Sequence, residues 1–361
     1  MLEEEGHEVV GVLVGKSPAR VLPSFFKEKM KAPVESFESP NFLPSAKNKQ
    51  VNLWKSVFYN FFRIGTYISS IRFINRKIKE SEADVVVNFY ELLTGLTYFF
   101  CRPDARMVCI AHQYLFLHPD FVFPRQGRVA LFFLRFFTRI TSVGATKCLA
   151  LSFRKMREVP ADGIVVVPPL LRKEVLEARP ERGDYLHGYL LNSGFGEEVK
   201  AWHAEHPGVS CHFFWDKKDT PSELKVNDTL TFHQLSDTLF LRYMAGAKAY
   251  ATTAGFESVC EAMYLKKPVL MVPTHIEQYC NAFDAMQSGA GIVSEEFNLD
   301  TLLKLSEEYK PDAAFRFWAN QASWLIVREF RPDLLAEERP LSFFHRLAIN
   351  WIYRLGHRIS L

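Results

Sequence analysis

The chain holds no Cys-x-x-Cys pair. Its six cysteines are scattered singly at Cys101, Cys109, Cys148, Cys211, Cys260 and Cys280. Most fall inside apolar runs, which points to buried thiols in a reducing compartment and away from a zinc site. There is no Asp-x-Asp pair, no Gly-x-Ser-x-Gly elbow, no metal-ligand cluster and no internal repeat beyond two βα halves. No uncharged apolar run reaches eighteen residues, so no membrane-spanning helix is expected. Met1 to Glu5 has neither the basic region nor the apolar core of a signal peptide, which makes the cytoplasm the expected compartment. Net charge is only +3 over 361 residues. So small a balance argues against nucleic acid as a partner. Two stretches lack acidic residues altogether, 51–79 and 341–361.

What is present is ordinarily globular but rich in phenylalanine, and long enough for two domains with separate cores. The most informative stretch runs from 247 to 273. Residues 247–252 predict a strand, Gly255 breaks it, Ser258–Leu265 carries helical spacing, and Val269–Val272 is a continuous apolar run typical of a buried parallel strand. A helix that begins after such a turn offers unpaired N–H groups and a positive dipole end to phosphate. Ser258 adds a hydroxyl in its first turn. Glu261, one turn on, is placed to accept hydrogen bonds from ribose hydroxyls. Glu277, Gln278 and Asn281 then open the next helix above the same sheet edge and suit a hydroxyl-rich ligand.

The segment Gly255, Phe256, Glu257, Ser258, Glu261, followed by Pro273, Glu277, Gln278 and Asn281, resembles the donor-binding half of GT-B glycosyltransferases. The MurG-type N-acetylglucosaminyltransferases and the UDP-glycosyltransferases share this layout. The segment also resembles bacterial glycosyltransferase family proteins, which carry Gly-Ala-Gly-Phe-Glu-Thr and Glu-Gln-Gln-Cys-Asn-Ala at these places. The resemblance implies ribose binding at Glu261, diphosphate binding across the Gly255–Ser258 turn, and a donor sugar held by Glu277 and Gln278. Thr253 stands where the plant-type enzymes carry a phosphate-contacting histidine.

Taken in order, Leu2–Glu8 reads as the end of a helix with Gly6 as its cap, followed by a strand over 9–14. A βαβ domain normally starts one strand and one glycine-rich turn earlier. Truncation at the N-terminus is therefore the expectation, with loss of that loop as the alternative. A helix is expected over 18–30, a polar connection over 31–50, and a long basic, aromatic helix over 51–79. The last fits either a domain helix with snorkelling side chains or an interfacial helix on anionic lipid. Strands at 84–88 and 105–111 end in Glu91 and His112. Ligands of open α/β sheets lie beyond such carboxyl ends, so these two are the candidates for deprotonating an acceptor. The bacterial group carries Asn-Asp-Phe-Glu and Ser-His-Gln at the matching places. A helix over 126–143 and strands at 147–151 and 163–167 lead to Pro168-Pro169, the expected boundary.

The second half opens with a strand at 189–192 and the turn 193–196, where Gly194 and Gly196 offer another phosphate contact. Further strands are expected at 209–215 and 230–232, with a surface loop at 216–227. His233 and Gln234, just after a strand, take the place where related enzymes present backbone to uracil. The expected fold is α/β, with two facing Rossmann-like domains (GT-B) in which the first strand and glycine-rich loop are missing. The first covers 1–168 and is completed by helices over 312–361; the donor domain covers 169–311. The expected activity is metal-independent glycosyl transfer of hexosyltransferase type. A UDP-sugar serves as co-substrate, no cofactor is needed, and the acceptor is unknown or lipid-linked. A nucleotide-sugar 2-epimerase and a non-catalytic nucleotide-sugar-binding protein remain as alternatives. The 341–361 tail, helical in spacing and without a carboxylate, suggests with 51–79 a surface for anionic membrane, peripheral on its inner face.

Overall fold

The computed structural model describes residues 1–18, 30–40, 58–159, 163–191, 194–217 and 220–335. The expected helix over 18–30, the first part of the 51–79 helix and the 341–361 tail lie outside the described residues.

A turn of 3-10 helix over Glu3–Glu5 ends at Gly6, whose φ of 87° makes it the left-handed cap that the sequence predicts. Strands β1 (Val12–Lys16) and β2 (Val34–Glu38) then pair in parallel as a small separate sheet. β2 falls in the stretch expected to be a polar connection. Only Phe37 of its five residues is buried, too little apolar pattern to mark a strand. Helix α1 (Ile64–Glu80), strand β3 (Val85–Asn88), helix α2 (Leu92–Cys101), strand β4 (Arg106–Ala111), helix α3 (Arg128–Thr141), and strands β5 (Lys147–Leu151) and β6 (Ile164–Val167) follow. The four strands form a parallel sheet in the order β3-β4-β5-β6. β4 and β5 are buried throughout apart from Arg106, as a strand covered on both faces must be.

Beyond Pro168-Pro169 and a helical turn at Lys173–Glu177, the second half begins with β7 (Tyr185–Leu190). It continues through α4 (Phe195–Glu205), β8 (Ser210–Trp215), β9 (Glu223–Lys225), β10 (Leu230–Gln234) and α5 (Asp237–Gly246). Then come β11 (Ala249–Thr252), α6 (Phe256–Tyr264), β12 (Val269–Met271), α7 (Ile276–Gln287), β13 (Gly291–Val293) and α8 (Leu299–Glu308). Their sheet order is β13-β12-β11-β7-β8-β10-β9, parallel except for β9. β7 starts four residues before the expected 189–192, because His187 and Gly188 interrupt the apolar run. Gly188 is needed there, since a Cβ would collide with the Phe213 ring. β9 lies within the expected 216–227 loop. His233 and Gln234 are the last residues of β10 and do not follow it.

Of the helices expected over 312–361, the described part begins with two short ones, α9 (Ala313–Ala319) and α10 (Ala322–Val327), with a 3-10 turn after them. Trp318 Nε1 donates to Ser152 O at 2.9 Å, and Lys147 pairs with the buried Glu329 at 3.0 Å. Both contacts tie this segment to β5 and the residue after it.

The second sheet carries three histidines on adjacent strands: His187 and His233 are buried, and the half-buried His212 lies opposite His187 in register. His212 Nδ1 and His233 Nε2 share a hydrogen bond of 3.1 Å, while both ring nitrogens of His187 lack a protein partner. Burial pushes His187 down to about 3 and His212 down to about 4. The unfolded chain takes up protons at these rings below about pH 6.5 and the folded chain does not, so stability falls as pH drops from there. His187→Leu should leave stability at pH 7 equal or higher, since it removes two unpaired polar atoms. It should also flatten the acid loss by about 1.4 kcal/mol per pH unit. Urea midpoints at pH 7 and pH 5 check this, and an unchanged acid slope in the variant refutes it.

Candidate active site

β11 ends at Thr252, and Thr253 and Ala254 are both buried in the turn that follows. Ala254 carries the positive φ, 66°, while Gly255 is extended at φ −66° and ψ 131°. α6 therefore starts at Phe256, two residues before the expected start, with Gly255 as its N-cap. A Cβ on Gly255 would meet only Ser258 Oγ, at 3.6 Å, so the protein itself leaves room there. The Ser258 hydroxyl donates back to Gly255 O at 3.2 Å. Glu257 is exposed and Glu261 buried. Asn281 Nδ2 reaches from α7 to Ala254 O at 3.3 Å and braces the strained residue. Its Oδ1 is buried with no protein partner.

At the start of α7, Gln278 Oε1 accepts from Thr274 N at 2.9 Å and from Thr274 Oγ1 at 2.8 Å, holding the loop in front of the helix. Glu277 accepts from Gln113 Nε2 at 2.7 Å, a contact that joins the two halves. Burial raises the Glu277 carboxyl above its ordinary range, against the pull of the Gln113 amide.

His112 lies on the same side as Gln113 and stacks flat on Phe256, with ring centroids 3.9 Å apart and planes at 15°. Phe153 closes over both. His112 Nδ1 is 2.7 Å from Leu151 O, which makes it the donor and leaves Nε2 as a lone pair without a protein partner. Burial lowers the His112 pKa, so the ring is neutral near pH 7. The structure brings His112 to the donor helix. It does not bring Glu91 there. The Glu91 side chain caps α2 by accepting from Leu93 N, and Ser39 Oγ donates to it at 2.7 Å. A Cβ at Gly15 would collide with its other oxygen, so the carboxylate is enclosed by the β1–β2 side. Gly194 is the N-cap position of α4; residues 192 and 193 of that turn lie outside the described residues. Gly196 packs where a Cβ would press on the Trp215 ring, a packing reason for glycine.

Two charged residues with no motif to mark them complete the site. Arg172, from the linker, holds Glu261 through a fork: Nε to Oε1 at 2.6 Å and Nη2 to Oε2 at 2.9 Å. Burial raises the Glu261 carboxyl and Arg172 pulls it down; the fork is the geometry of an ion pair. Arg154, after β5, bonds Asp284 and donates to Ser288 Oγ at 2.7 Å. Among the described residues, no group of three or more His, Cys, Asp or Glu side chains is arranged to hold a metal ion.

Two facing Rossmann-like halves with this cleft define the GT-B class of glycosyltransferase fold. The model of glycosyl transferase family 1 matches residues 27–307, and the chain belongs to that family. It is similar to the glycotransferase of kitacinnamycin, at 15% identity and a TM-score of 0.56, over 98% of this chain and 92% of that one. Arabidopsis thaliana UGT89C1 complexed with UDP-L-rhamnose matches at 14% identity and a TM-score of 0.57, covering 93% of this chain and 92% of that one. Medicago truncatula UGT71G1 complexed with UDP-glucose matches at 14% identity and a TM-score of 0.58, covering 90% of this chain and 91% of that one. No curated protein matches.

The Gln113–Glu277 bond generates a test. Removing a donor to a carboxylate favours its neutral form, so Gln113→Ala should raise the apparent pKa of Glu277 further. Ligand binding that needs the Glu277 carboxylate should then be lost at higher pH than in the parent chain. Titrating UDP-sugar affinity between pH 5 and pH 8 checks this. Coincident pH profiles would detach Glu277 from the ligand.

Proposed function

We propose that this chain transfers a sugar from a UDP-sugar to a hydroxyl-bearing acceptor. The observation that carries the reading is convergence at one sheet edge. The α6 N-terminus, the Glu261 carboxylate and the polar start of α7 face a neutral histidine from the other half. The first amides of α6 supply donors for the diphosphate, whose leaving charge needs stabilising as the sugar departs. Glu261 accepts from the ribose diol, and Glu277 with Gln278 orients the sugar hydroxyls. His112 Nε2 takes the acceptor proton, its other nitrogen being fixed by Leu151 O. The UDP ligands of the two plant neighbours support this choice of donor. For the acceptor to reach Nε2, Phe256 must part from His112. That movement is a hinge at the linker between the halves.

The same contacts favour a second reading. With His112 covered by Phe256 and Glu261 engaged by Arg172, a nucleotide-sugar-binding protein without turnover fits this arrangement. Hydrolysis of UDP-sugars in the presence of acceptor alcohols separates the two. Glu261→Gln should weaken UDP roughly tenfold or more, because a hydrogen bond to a charged group is worth about 1.5–3 kcal/mol. His112→Ala should keep UDP affinity and lose about a hundredfold or more in turnover. Unchanged affinity in the first variant removes Glu261 from the site; unchanged turnover in the second removes His112 as base.

A further inference from the structure

Helix α3 is oriented against the usual rule. Its fully buried side chains are Thr138 and Thr141, and Leu131 and Leu134 on that same face pack partly on the core. The opposite face is apolar and open: Val129, Phe132, Phe133 and Phe136 recur at helical spacing, with Phe132 65% and Phe133 61% exposed. A solvated helix face carries charge there, and an apolar one needs a partner.

Chain direction places this face on the cleft side of the first half. α3 follows β4, so its first turns lie at the carboxyl edge of the sheet, with His112 and Gln113. Gly127, its N-cap, sits against Ile276 of α7, close enough that a Cβ would press on Ile276 Cδ1. α1 runs into β3, so its N-terminal end lies at that edge too, and Phe61 and Phe62 are exposed there, the latter at 80%. Phe89, directly after β3, is also exposed. α2 packs between α1 and α3. The rim of the first half is thus lined with open aromatic rings.

Charge selects the partner. No acidic residue occurs between Asp120 and Glu158, while Arg125, Arg128, Arg135 and Arg139 lie along this segment. Arg125 and Arg128 are exposed beside the apolar face. Aromatic rings flanked by arginines suit the boundary of an anionic bilayer, where rings enter the headgroup layer and cations meet lipid phosphate. No described helix is long and apolar enough to cross a membrane, so the contact is peripheral. We propose that the exposed face of α3, with the aromatic rim at the start of α1, docks the protein on an anionic lipid bilayer with the cleft opening at its surface. This surface stands independently of the donor reading and adds a place from which a lipid-borne acceptor enters.

The full chain is sedimented with phosphatidylcholine vesicles, with and without phosphatidylglycerol. The expected result is binding to the anionic vesicles that weakens with salt. Phe132→Ser combined with Phe133→Ser should weaken it roughly tenfold or more. Arg125→Glu combined with Arg128→Glu should abolish the preference for anionic lipid. UDP affinity by calorimetry should be unchanged in both, which also shows that they fold. Failure of the parent chain to bind, equal binding to both lipids, or full binding by the phenylalanine variant overturns the proposal. So does a parent chain that binds no vesicle and forms a dimer that the phenylalanine variant abolishes, because the face is then a protein interface. Vesicle binding without UDP binding overturns the donor reading and leaves this one intact.

Discussion

The site depends on one turn. A strand leaving the sheet at Thr252 must reverse and deliver a helix with its amides toward the cleft, and it does so through Ala254 at φ 66°. A left-handed alanine costs about 1–2 kcal/mol, and such residues persist only where the surroundings over-determine them. Here Asn281 holds the Ala254 carbonyl from α7, and the side chain of Ala254 is itself fully buried. The brace couples the two helices of the motif: the turn that starts α6 is held from α7. With the turn fixed, Phe256 becomes the first residue of α6 and projects onto His112.

From that contact the packing between halves follows. Phe153, Phe256, Val259 and Cys260 belong to one apolar cluster with Leu149 and Leu151 of β5 and with Ile326 and Phe330 near the end of the described chain. The cleft floor is therefore a shared core. Around it the polar links are charged or charge-assisted: Gln113 on Glu277, Arg154 on Asp284, Arg172 on Glu261. An apolar seam sets the position of the halves, while directional bonds at its edge set their angle.

The sequence shows the elements whose apolar pattern is long, and the motif whose order is specific. β4, β5, β11, α6 and α7 were legible for that reason, and so was their assignment to a sheet edge. β2 was not, because one buried phenylalanine among five residues leaves no alternation to see. β7 was misplaced because histidine and glycine, polar or small by composition, are fully buried there against aromatic neighbours. Arg154 and Arg172 carry no local signal, since their partners lie far along the chain and only the fold brings them together. Glu91 shows another limit: the sequence places it at a strand end, and only the fold shows that it caps α2 and accepts from Ser39. The outward face of α3 was hidden because periodicity reports that a helix is amphipathic, not which side faces the core.

The fork between Arg172 and Glu261 looks at first opposed to ligand binding, since both carboxylate oxygens are engaged. Acceptor capacity resolves this. An ionised carboxylate has about four lone-pair positions, and the fork uses one on each oxygen, so under the proposed function a further position on each remains for the two hydroxyls of a ribose. Charge then favours the pair. A lone carboxylate at the donor edge would repel an incoming diphosphate in a water-poor cleft, where the interaction is weakly screened. Paired with Arg172 it presents acceptors with its charge balanced, so the carboxylate left in the first turn of α6 is that of the exposed Glu257. Because Arg172 comes from the segment between the two halves, the neutralising group belongs to neither sheet, and under the proposed function any movement of that segment would loosen the fork and return the charge to Glu261.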